Sequence, residues 1–417
     1  MGADRRWRRQ IVIAATVALA LRLAFAFGYW VDKPMTHDEH EYLALAAALG
    51  TGRGLTYLEP PQGTAAQFGR APGYPAFLAA IGAGATRGSA SPGRVKVAQA
   101  ILGSVGVVLI AVSAWRAAGP LAAAVAAWVA AVYPPLVWIP AYVLSETLYS
   151  VLALATALVL QAAADRDPAR RGGASHGLAA GLLCGAAVLV RPAMLFLLPL
   201  AAVWLARRGT PRLAAAVVLG AVIVIAPWTV RNYMVHERFV LVASEGGVTF
   251  WTGNHPLASG EGDLAANPAL KEEELRFRRA HQGLTSEELE PLYYRDALRH
   301  IAENPGRWIA LLGRKVFYTV VPAGPSYALH STRYRAASVI SYLMVLPFAA
   351  CGLVVLWRSP SRPVALLLLA ASSVLVGIVF FPQERFRIPV IDPVLIVCAA
   401  AFAAFHASGQ GRALTPR

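Results

Sequence analysis

The sequence has little charge and almost no cysteine. Of its 417 residues only 15% are Asp, Glu, Lys or Arg, and 57% are hydrophobic, whereas soluble domains carry about 25% charged residues. This composition excludes an ordinary soluble protein and predicts a polytopic membrane protein. Cys184, Cys351 and Cys398 all fall in apolar segments without CxxC spacing, which excludes a disulfide framework and a cysteine metal site.

Long apolar runs recur along the chain. A helix that crosses the hydrocarbon core needs about 20 residues. The candidate spans are residues 11–30, 95–115, 120–138, 142–163, 175–190, 192–206, 212–230, 336–357, 363–381 and 388–406. We therefore expect an all-α polytopic membrane protein, a bundle of about 10 (range roughly 9–12) transmembrane helices.

The charges are distributed unequally between the two sides of the predicted bundle. Arg5, Arg6, Arg8 and Arg9 precede the first span, and short loops on the same side are also basic, which predicts cytoplasmic N- and C-termini in the cytoplasmic membrane. Of 23 acids, 12 lie in 231–335 and five in 31–93. The net charge of +15 is thus explained by positive-inside arginines, and we expect no nucleic-acid partner.

Two polar segments divide the chain into three parts. Residues 1–230 form an N-terminal membrane module with seven spans and a first extracytoplasmic loop, 31–93. Residues 231–335 form an extracytoplasmic loop with amphipathic helices, and residues 336–417 form a C-terminal module with three spans. Within the loop, Trp308–Val321 is apolar but interrupted by two cations, which suits a helix along the membrane face; a further span is the alternative.

An acidic cluster directly follows the first span: His37-Asp38-Glu39-His40-Glu41-Tyr42. Such a cluster beside a bilayer can act as a general base or as a metal-ligand set, or it can be a solvated turn. A divalent cation held by His37, Asp38 and His40 is one alternative, since imidazole and carboxylate suit zinc or manganese.

Several short motifs follow in order along nearly the whole chain. They are Asp38-Glu39 with Tyr42, Arg70-Ala71-Pro72-Gly73-Tyr74-Pro75, Ser145-Glu146-Thr147, Leu189-Val190-Arg191-Pro192, Pro227-Trp228-Thr229-Val230-Arg231-Asn232-Tyr233, Gly253-Asn254 and Glu384-Arg385-Phe386-Arg387-Ile388-Pro389. On these motifs the chain resembles the family 39 type of GT-C glycosyltransferases, which includes protein O-mannosyltransferases and lipid A aminoarabinose transferases. The resemblance implies a polyprenyl phosphate sugar as donor, used on the extracytoplasmic face with inversion at the sugar.

That chemistry requires a carboxylate to accept the proton of the acceptor and cations to hold the phosphate that leaves. The resemblance implies Asp38 as general base with Glu39 as its assistant. Arginine suits phosphate because it presents a fork of donors, and the candidate donor-phosphate residues are Arg385, Arg387, Arg231 and Arg191. The further substrate-binding candidates are Arg70, Tyr74, Glu146, Asn254, Lys315 and Tyr42.

The acceptor, whether protein, lipid or glycan, is left open, as is a divalent cation. Two other functions remain as alternatives. A flippase or transporter of lipid-linked glycans would also gather arginines near the headgroups. A polymerase or ligase of lipid-linked glycans would share the arginine-rich outer loops, but not the acidic pair after the first span.

Overall fold

A computed structural model describes residues 2–55, 69–85, 90–166, 173–262, 264–322, 324–359 and 361–409. In these ranges the chain is helical, and its β-pairing is limited to an isolated bridge between Pro34 and Ala90. The all-α class expected from the apolar runs is therefore confirmed.

The N-terminal half contains nine α-helices in the described ranges. They are α1 (Gly2–Ala24), α2 (His37–Gly50), α3 (Gly73–Ala80), α4 (Gly93–Val132), α5 (Pro134–Trp138), α6 (Glu146–Ala164), α7 (Gly173–Val190), α8 (Leu197–Arg207) and α9 (Pro211–His236). The helices that follow are α10 (Gly246–Asn254), α11 (Pro268–Ala280), α12 (Ser286–Glu303), α13 (Pro305–Val320), α14 (Thr332–Arg358), α15 (Val364–Val379), α16 (Glu384–Arg387) and α17 (Ile391–Ala407).

Each predicted span coincides with an apolar helix. Helices α1, α4, α6, α9 and α14 contain the stretches long and apolar enough to cross a membrane, and α7, α8, α15 and α17 are shorter apolar helices. Helix α4 supplies two spans, because Ala118 and Gly119 leave the helical conformation. Gly119 has a φ of +85°, which favours glycine, and Pro120 then starts the next helical stretch, where proline is well tolerated.

Contacts with α1 show that the chain reverses its direction at Ala118 and Gly119. Trp7 stacks on Trp115 with ring centroids 5.3 Å apart, while a Cβ at Gly103 would meet Arg22. Arg22 also approaches the carbonyl oxygen of Ala131, at 3.5 Å. The stretch 93–117 is therefore antiparallel to α1, and the stretch after Gly119 returns along it.

Close packing of the bundle depends on small residues. On α7, Gly177, Gly181 and Gly185 face α9, and a Cβ at Gly181 would collide with the carbonyl oxygen of Val217. Small residues at four-residue spacing let helix backbones approach closely in lipid, where van der Waals packing replaces the hydrophobic effect as the driving force.

The two polar segments pack on each other. The backbone N–H of Gly69 donates to Ser244 Oγ at 2.8 Å, and the N–H of Ser244 donates to Gly69 O at 3.0 Å. A second, smaller core between α10, α11 and α12 is centred on Trp251 and Tyr293. Helix α13 buries Lys315 but exposes Ile309 and Phe317, a pattern that suits a helix at a membrane surface.

Candidate active site

The described residues enclose a cavity of about 850 Å³ where the two polar segments meet the turn between α15 and α17. Small-molecule sites typically measure ~300–1,000 Å³. One part of the wall is apolar and includes Phe196, Phe380 and residues 240–243. The other part is charged, and its arginines are Arg70, Arg191, Arg238, Arg385 and Arg387.

Local structure at the start of α2 places Asp38 at the cavity. Glu39 Oε2 accepts hydrogen bonds from Thr36 N at 2.7 Å and Thr36 Oγ1 at 3.0 Å, as in a capping box, in which the third helical residue reaches back to the N-cap. Glu39 Oε1 accepts from Val143 N at 2.8 Å. These bonds fix the first turn of α2 against the segment before α6. Glu39 is 1% exposed and lies behind the wall.

The carboxylate of Asp38 lies between two guanidinium groups. Its Oδ1 accepts from Arg70 Nη2 and its Oδ2 from Arg385 Nη1, each at 2.8 Å. Burial alone would raise the pKa of Asp38, but the charges and hydrogen bonds of Arg385 and Arg70 outweigh it and hold that pKa well below its usual range. Asp38 is therefore an ionised carboxylate whose two oxygens are already engaged.

Arg70 is shared among three carboxylates. Besides Asp38 it binds Glu41, to which its Nε donates at 2.9 Å, and Glu245, to which its Nη1 donates at 2.9 Å. Its guanidinium also lies over the Tyr42 ring, 5.4 Å from the centroid. The planar fork of donors on arginine permits such several-sided binding. Arg70 thereby joins α2 to the residue that precedes α10.

A second ion pair lies beside the first. Arg191, which follows α7, contacts Glu146 at the start of α6, with 2.7 Å between Nη1 and Oε1. The Arg191 guanidinium also lies over the rings of Phe386, at 4.9 Å, and Tyr149, at 5.8 Å. The Glu146 side chain is only 3% exposed, so the pair is held in a largely apolar surrounding, where each charge depends on the other.

Arg387 lines the cavity but is bound to the protein on its other side. Its Nε donates to Asp392 Oδ1 at 2.7 Å, and its guanidinium lies 3.8 Å from the centroid of the Tyr342 ring. The two arginines predicted for phosphate in this motif thus differ: Arg385 contacts Asp38, and Arg387 is anchored to the start of α17.

Tyr42 lines the cavity, whereas Tyr74 lies behind it. The two rings meet edge to face at 4.9 Å, and Tyr74 Oη donates to Gln99 Oε1 at 3.4 Å. Arg231 is also outside the wall, where it stacks on Trp228 at 4.8 Å. The structure therefore brings Tyr42 to the site and leaves Tyr74 and Arg231 beside it.

Asn254 and Lys315 bind each other away from the cavity wall. Lys315 Nζ donates to Asn254 Oδ1 at 3.0 Å and to the carbonyl oxygens of Ile378 and Val379 at 3.1 and 3.4 Å. Burial lowers the pKa of Lys315 to about 7. The contacts fasten α13 to the end of α15, so Lys315 is engaged with protein oxygens and does not line the cavity.

The alternative metal set is not assembled. Among the described residues no group of three or more His, Cys, Asp or Glu side chains is placed to hold a metal ion. His37 instead lies 3.3 Å from Glu41, and its side chain is 80% exposed. Both oxygens of Asp38 face arginines, and such a donor set does not fit a cation.

The acids of the wall that were not predicted as site residues are Glu245, Glu261, Glu287, Glu290 and Glu384. Glu245 binds Arg70, and no local pattern in the sequence signals that contact. Glu290 lies on α12, and burial raises its pKa to about 7. Glu384 directly precedes Arg385 in the motif 384–389, which is visible in the sequence. Its place in that motif could have identified it as a candidate site residue.

No protein-family model matches the sequence, and no curated protein matches it significantly. Among solved structures, the oligosaccharyltransferase AglB from Archaeoglobus fulgidus, in complex with an inhibitory peptide and a dolichol-phosphate, is similar with a TM-score of 0.55 and 14% identity, over 99% of this chain and 52% of that one. The Archaeoglobus fulgidus oligosaccharyltransferase tethered with an acceptor peptide gives a TM-score of 0.60 and 15% identity, over 98% and 51%.

ArnT from Cupriavidus metallidurans bound to undecaprenyl phosphate gives a TM-score of 0.41 and 15% identity, over 98% of this chain and 81% of that one. The chain spans about half the length of the two oligosaccharyltransferase chains. At these identities the likeness concerns the fold. The two oligosaccharyltransferase structures, with TM-scores of 0.55 and 0.60, show that this chain has the GT-C fold.

Proposed function

We propose that this protein is an integral membrane glycosyltransferase that moves a sugar from a polyprenyl phosphate to an acceptor hydroxyl, with inversion and with Asp38 as general base. The observation that carries the proposal is a carboxylate held between two arginines, at 2.8 Å from each, on the wall of one cavity. A base and cations within contact distance of each other are what glycosyl transfer from a phosphate requires.

In the proposed reaction the acceptor hydroxyl gives its proton to Asp38 while its oxygen forms a bond to the anomeric carbon. The bond from that carbon to the phosphate oxygen breaks, and its electron pair stays on the phosphate. The negative charge that develops there is stabilised by guanidinium groups. The products are the glycosylated acceptor and a polyprenyl phosphate, and a single displacement inverts the anomeric centre.

We assign the phosphate to the guanidiniums of Arg385, Arg70 and Arg191, because all three line the same cavity. Glu41 and Glu245 hold Arg70 in place, and Glu146 holds Arg191. The apolar wall formed by Phe196, Phe380 and residues 240–243 suits the first isoprene units of the lipid.

The proposal includes the orientation of the protein in the membrane. The modules 1–230 and 336–417 would span the cytoplasmic membrane with both termini in the cytoplasm, and the segments 31–93 and 231–335 would cover the cavity on the extracytoplasmic side. Support comes from the placement of arginines in the short loops. A neighbour of the same fold, the oligosaccharyltransferase AglB, was solved with a dolichol-phosphate.

A transfer assay tests the proposal. Purified protein in nanodiscs is given a panel of radiolabelled polyprenyl phosphate sugars together with membrane and periplasmic fractions as acceptors. We expect label in an acceptor with at least one donor, loss of this transfer in Asp38→Asn, and its retention in Asp165→Asn. Asp165 is half exposed and pairs with Arg116 at 3.5 Å. Transfer by Asp38→Asn at the wild-type rate would contradict the role of Asp38.

A further inference from the structure

The motif Gly253-Asn254, at the end of α10, contacts the end of α15. Asn254 Nδ2 donates to the carbonyl oxygen of Val379 at 3.0 Å, and Asn254 Oδ1 accepts from Lys315 Nζ and Trp308 Nε1, each at 3.0 Å. The last carbonyl groups of a helix have no partner within the helix, and here Asn254 and Lys315 supply the donors. The end of α15 is therefore fixed by the segment 231–335.

Gly253 brings the backbone of α10 against the residues that follow α15. A Cβ at position 253 would collide with the carbonyl oxygen of Phe380. Non-bonded carbon and oxygen atoms normally stay ~3.3 Å or more apart, so a side chain at this position has to displace the turn 380–383. The φ of Gly253 is not positive, so the close approach, and not the backbone conformation, requires glycine here.

A second contact from the same segment lies one step further along the turn. The N–H of Gly262 donates to the carbonyl oxygen of Pro382 at 3.3 Å, and a Cβ at Gly262 would collide with the ring of Phe381. That ring stacks on Phe386 with centroids 5.9 Å apart. The segment 231–335 thus touches every residue from 379 to 382.

The turn leads directly to Arg385, the residue assigned to the donor phosphate. Gln383 Oε1 accepts from Arg385 Nε at 3.1 Å, and Arg385 Nη1 donates to Asp38 Oδ2 at 2.8 Å. The guanidinium also lies 5.2 Å from the centroid of the Phe386 ring. Both neighbours of the guanidinium on this side belong to the stretch 383–386, so its position depends on where the turn lies.

We propose that Gly253 and Asn254 are positioning residues, which fix the turn 380–383 so that Arg385 reaches both Asp38 and the donor phosphate. The proposal rests on the glycosyltransferase function proposed above. It replaces the substrate-binding role predicted for Asn254, whose side chain is bound to protein and which is 3% exposed. Neither residue is among the described residues that line the cavity, so both act through Arg385 and without contact to the substrate.

The test measures polyprenyl phosphate binding and single-turnover sugar transfer on variants in nanodiscs. Displacement of a site by about 1 Å from outside can cost up to about a hundredfold in rate. Gly253→Ala should therefore weaken phosphate binding by about tenfold and slow transfer by about tenfold to a hundredfold. Asn254→Ala, which loses the bond to Val379 without adding a clash, should weaken phosphate binding by about threefold or more.

Two control variants should bind polyprenyl phosphate as the wild type does. A Cβ at Gly313, on α13, would meet no described atom within 4 Å, so Gly313→Ala adds the same methyl group without a clash. Lys315→Met removes a donor to the same carbonyls, but the bond from Asn254 to Val379 and the approach of Gly253 remain.

A double-mutant cycle separates positioning from a general loss of stability. If Gly253 acts through Arg385, then Gly253→Ala should weaken phosphate binding no further in a protein that already carries Arg385→Ala. Two independent effects would instead multiply to about a hundredfold. Thermal unfolding of each variant shows whether the fold is retained, and if Gly253→Ala does not fold, the cycle with Asn254→Ala decides by the same criterion.

The outcomes fall on either side of the proposal. A loss of phosphate affinity in Gly253→Ala or Asn254→Ala that disappears when Arg385 is absent supports it. Wild-type affinity and turnover in both variants, or losses that multiply with that of Arg385→Ala, would overturn it. Failure of the wild type to bind polyprenyl phosphate or to transfer any sugar would instead overturn the function on which the proposal rests.

Discussion

Replacement of Asp38 by asparagine should change catalysis and donor binding in opposite directions. In the resting protein each oxygen of Asp38 lies 2.8 Å from an arginine, Arg70 on one side and Arg385 on the other. The donor phosphate needs the same guanidiniums, so the phosphate and Asp38 compete for them. The amide of asparagine has nearly the same shape as the carboxylate. It carries no negative charge that would compete with the phosphate for the arginines, and it does not act as a base.

The expected magnitudes follow from this geometry. A positioned general base contributes ~10²–10⁴-fold to a rate, and kcat of Asp38→Asn should fall by that factor. Hydrogen bonds to charged groups contribute ~1.5–3 kcal/mol net, but the Asp38 side chain is 24% exposed, so solvent screens the competition and reduces the gain. A gain of about 1 kcal/mol corresponds to about fivefold tighter binding of polyprenyl phosphate.

The assay pairs isothermal titration of polyprenyl phosphate with single-turnover transfer, on the wild type and on Asp38→Asn in nanodiscs. Asp165→Asn serves as the matched control because its carboxylate lies outside the cavity. Wild-type turnover in Asp38→Asn would refute the base assignment. Weaker phosphate binding in a variant that unfolds at the wild-type temperature would refute the competition between Asp38 and phosphate.

Three further predictions concern the arginines and Lys315. Arg385→Ala should weaken polyprenyl phosphate binding by about tenfold or more, since a charge-assisted hydrogen bond is lost, and the exposed Arg276→Ala should bind as the wild type does when both are titrated. Glu146→Ala should lower the free energy of unfolding by up to about 3 kcal/mol, because it removes the counter-charge of Arg191, whose side chain is only 19% exposed, and the double variant with Arg191→Ala should recover part of the loss in detergent unfolding experiments. Lys315→Met should leave phosphate affinity unchanged but flatten the pH dependence of thermal stability: because burial lowers the pKa of Lys315 from 10.5 to about 7, the unfolded chain binds more protons between these values, and the stability of the wild type should rise across that window.

The spans could be predicted from the sequence because membrane crossing depends on the length and apolarity of continuous segments. The turn at Ala118–Gly119 lies between the predicted spans 95–115 and 120–138, so its position also follows from the lengths of the apolar segments. The contact between Asp38 and Arg385 could not be predicted from spacing. It joins residues 347 positions apart and arises only when α2 and α16 meet at the same end of the bundle.

For several polar residues the sequence is compatible with two roles, one functional and one structural. Glu39 has the residue type of a catalytic acid, but its distance of three from Thr36 is also that of a capping box, and the structure shows the capping contacts. Lys315 interrupts an apolar run, and packing against α15 turns it towards backbone carbonyls. Tertiary packing decides between the functional and the structural role, because the same side chain can form its hydrogen bonds in either environment.

The most direct test of the account follows both halves of a lipid-linked sugar in proteoliposomes, with ³H in the sugar and ³²P in the phosphate. We expect the wild type to separate the labels: the sugar moves to an acceptor with an inverted anomeric centre and polyprenyl phosphate is released, whereas Asp38→Asn does neither. Passage of the intact lipid-linked sugar across the bilayer with the two labels still joined would contradict the account and identify a transporter.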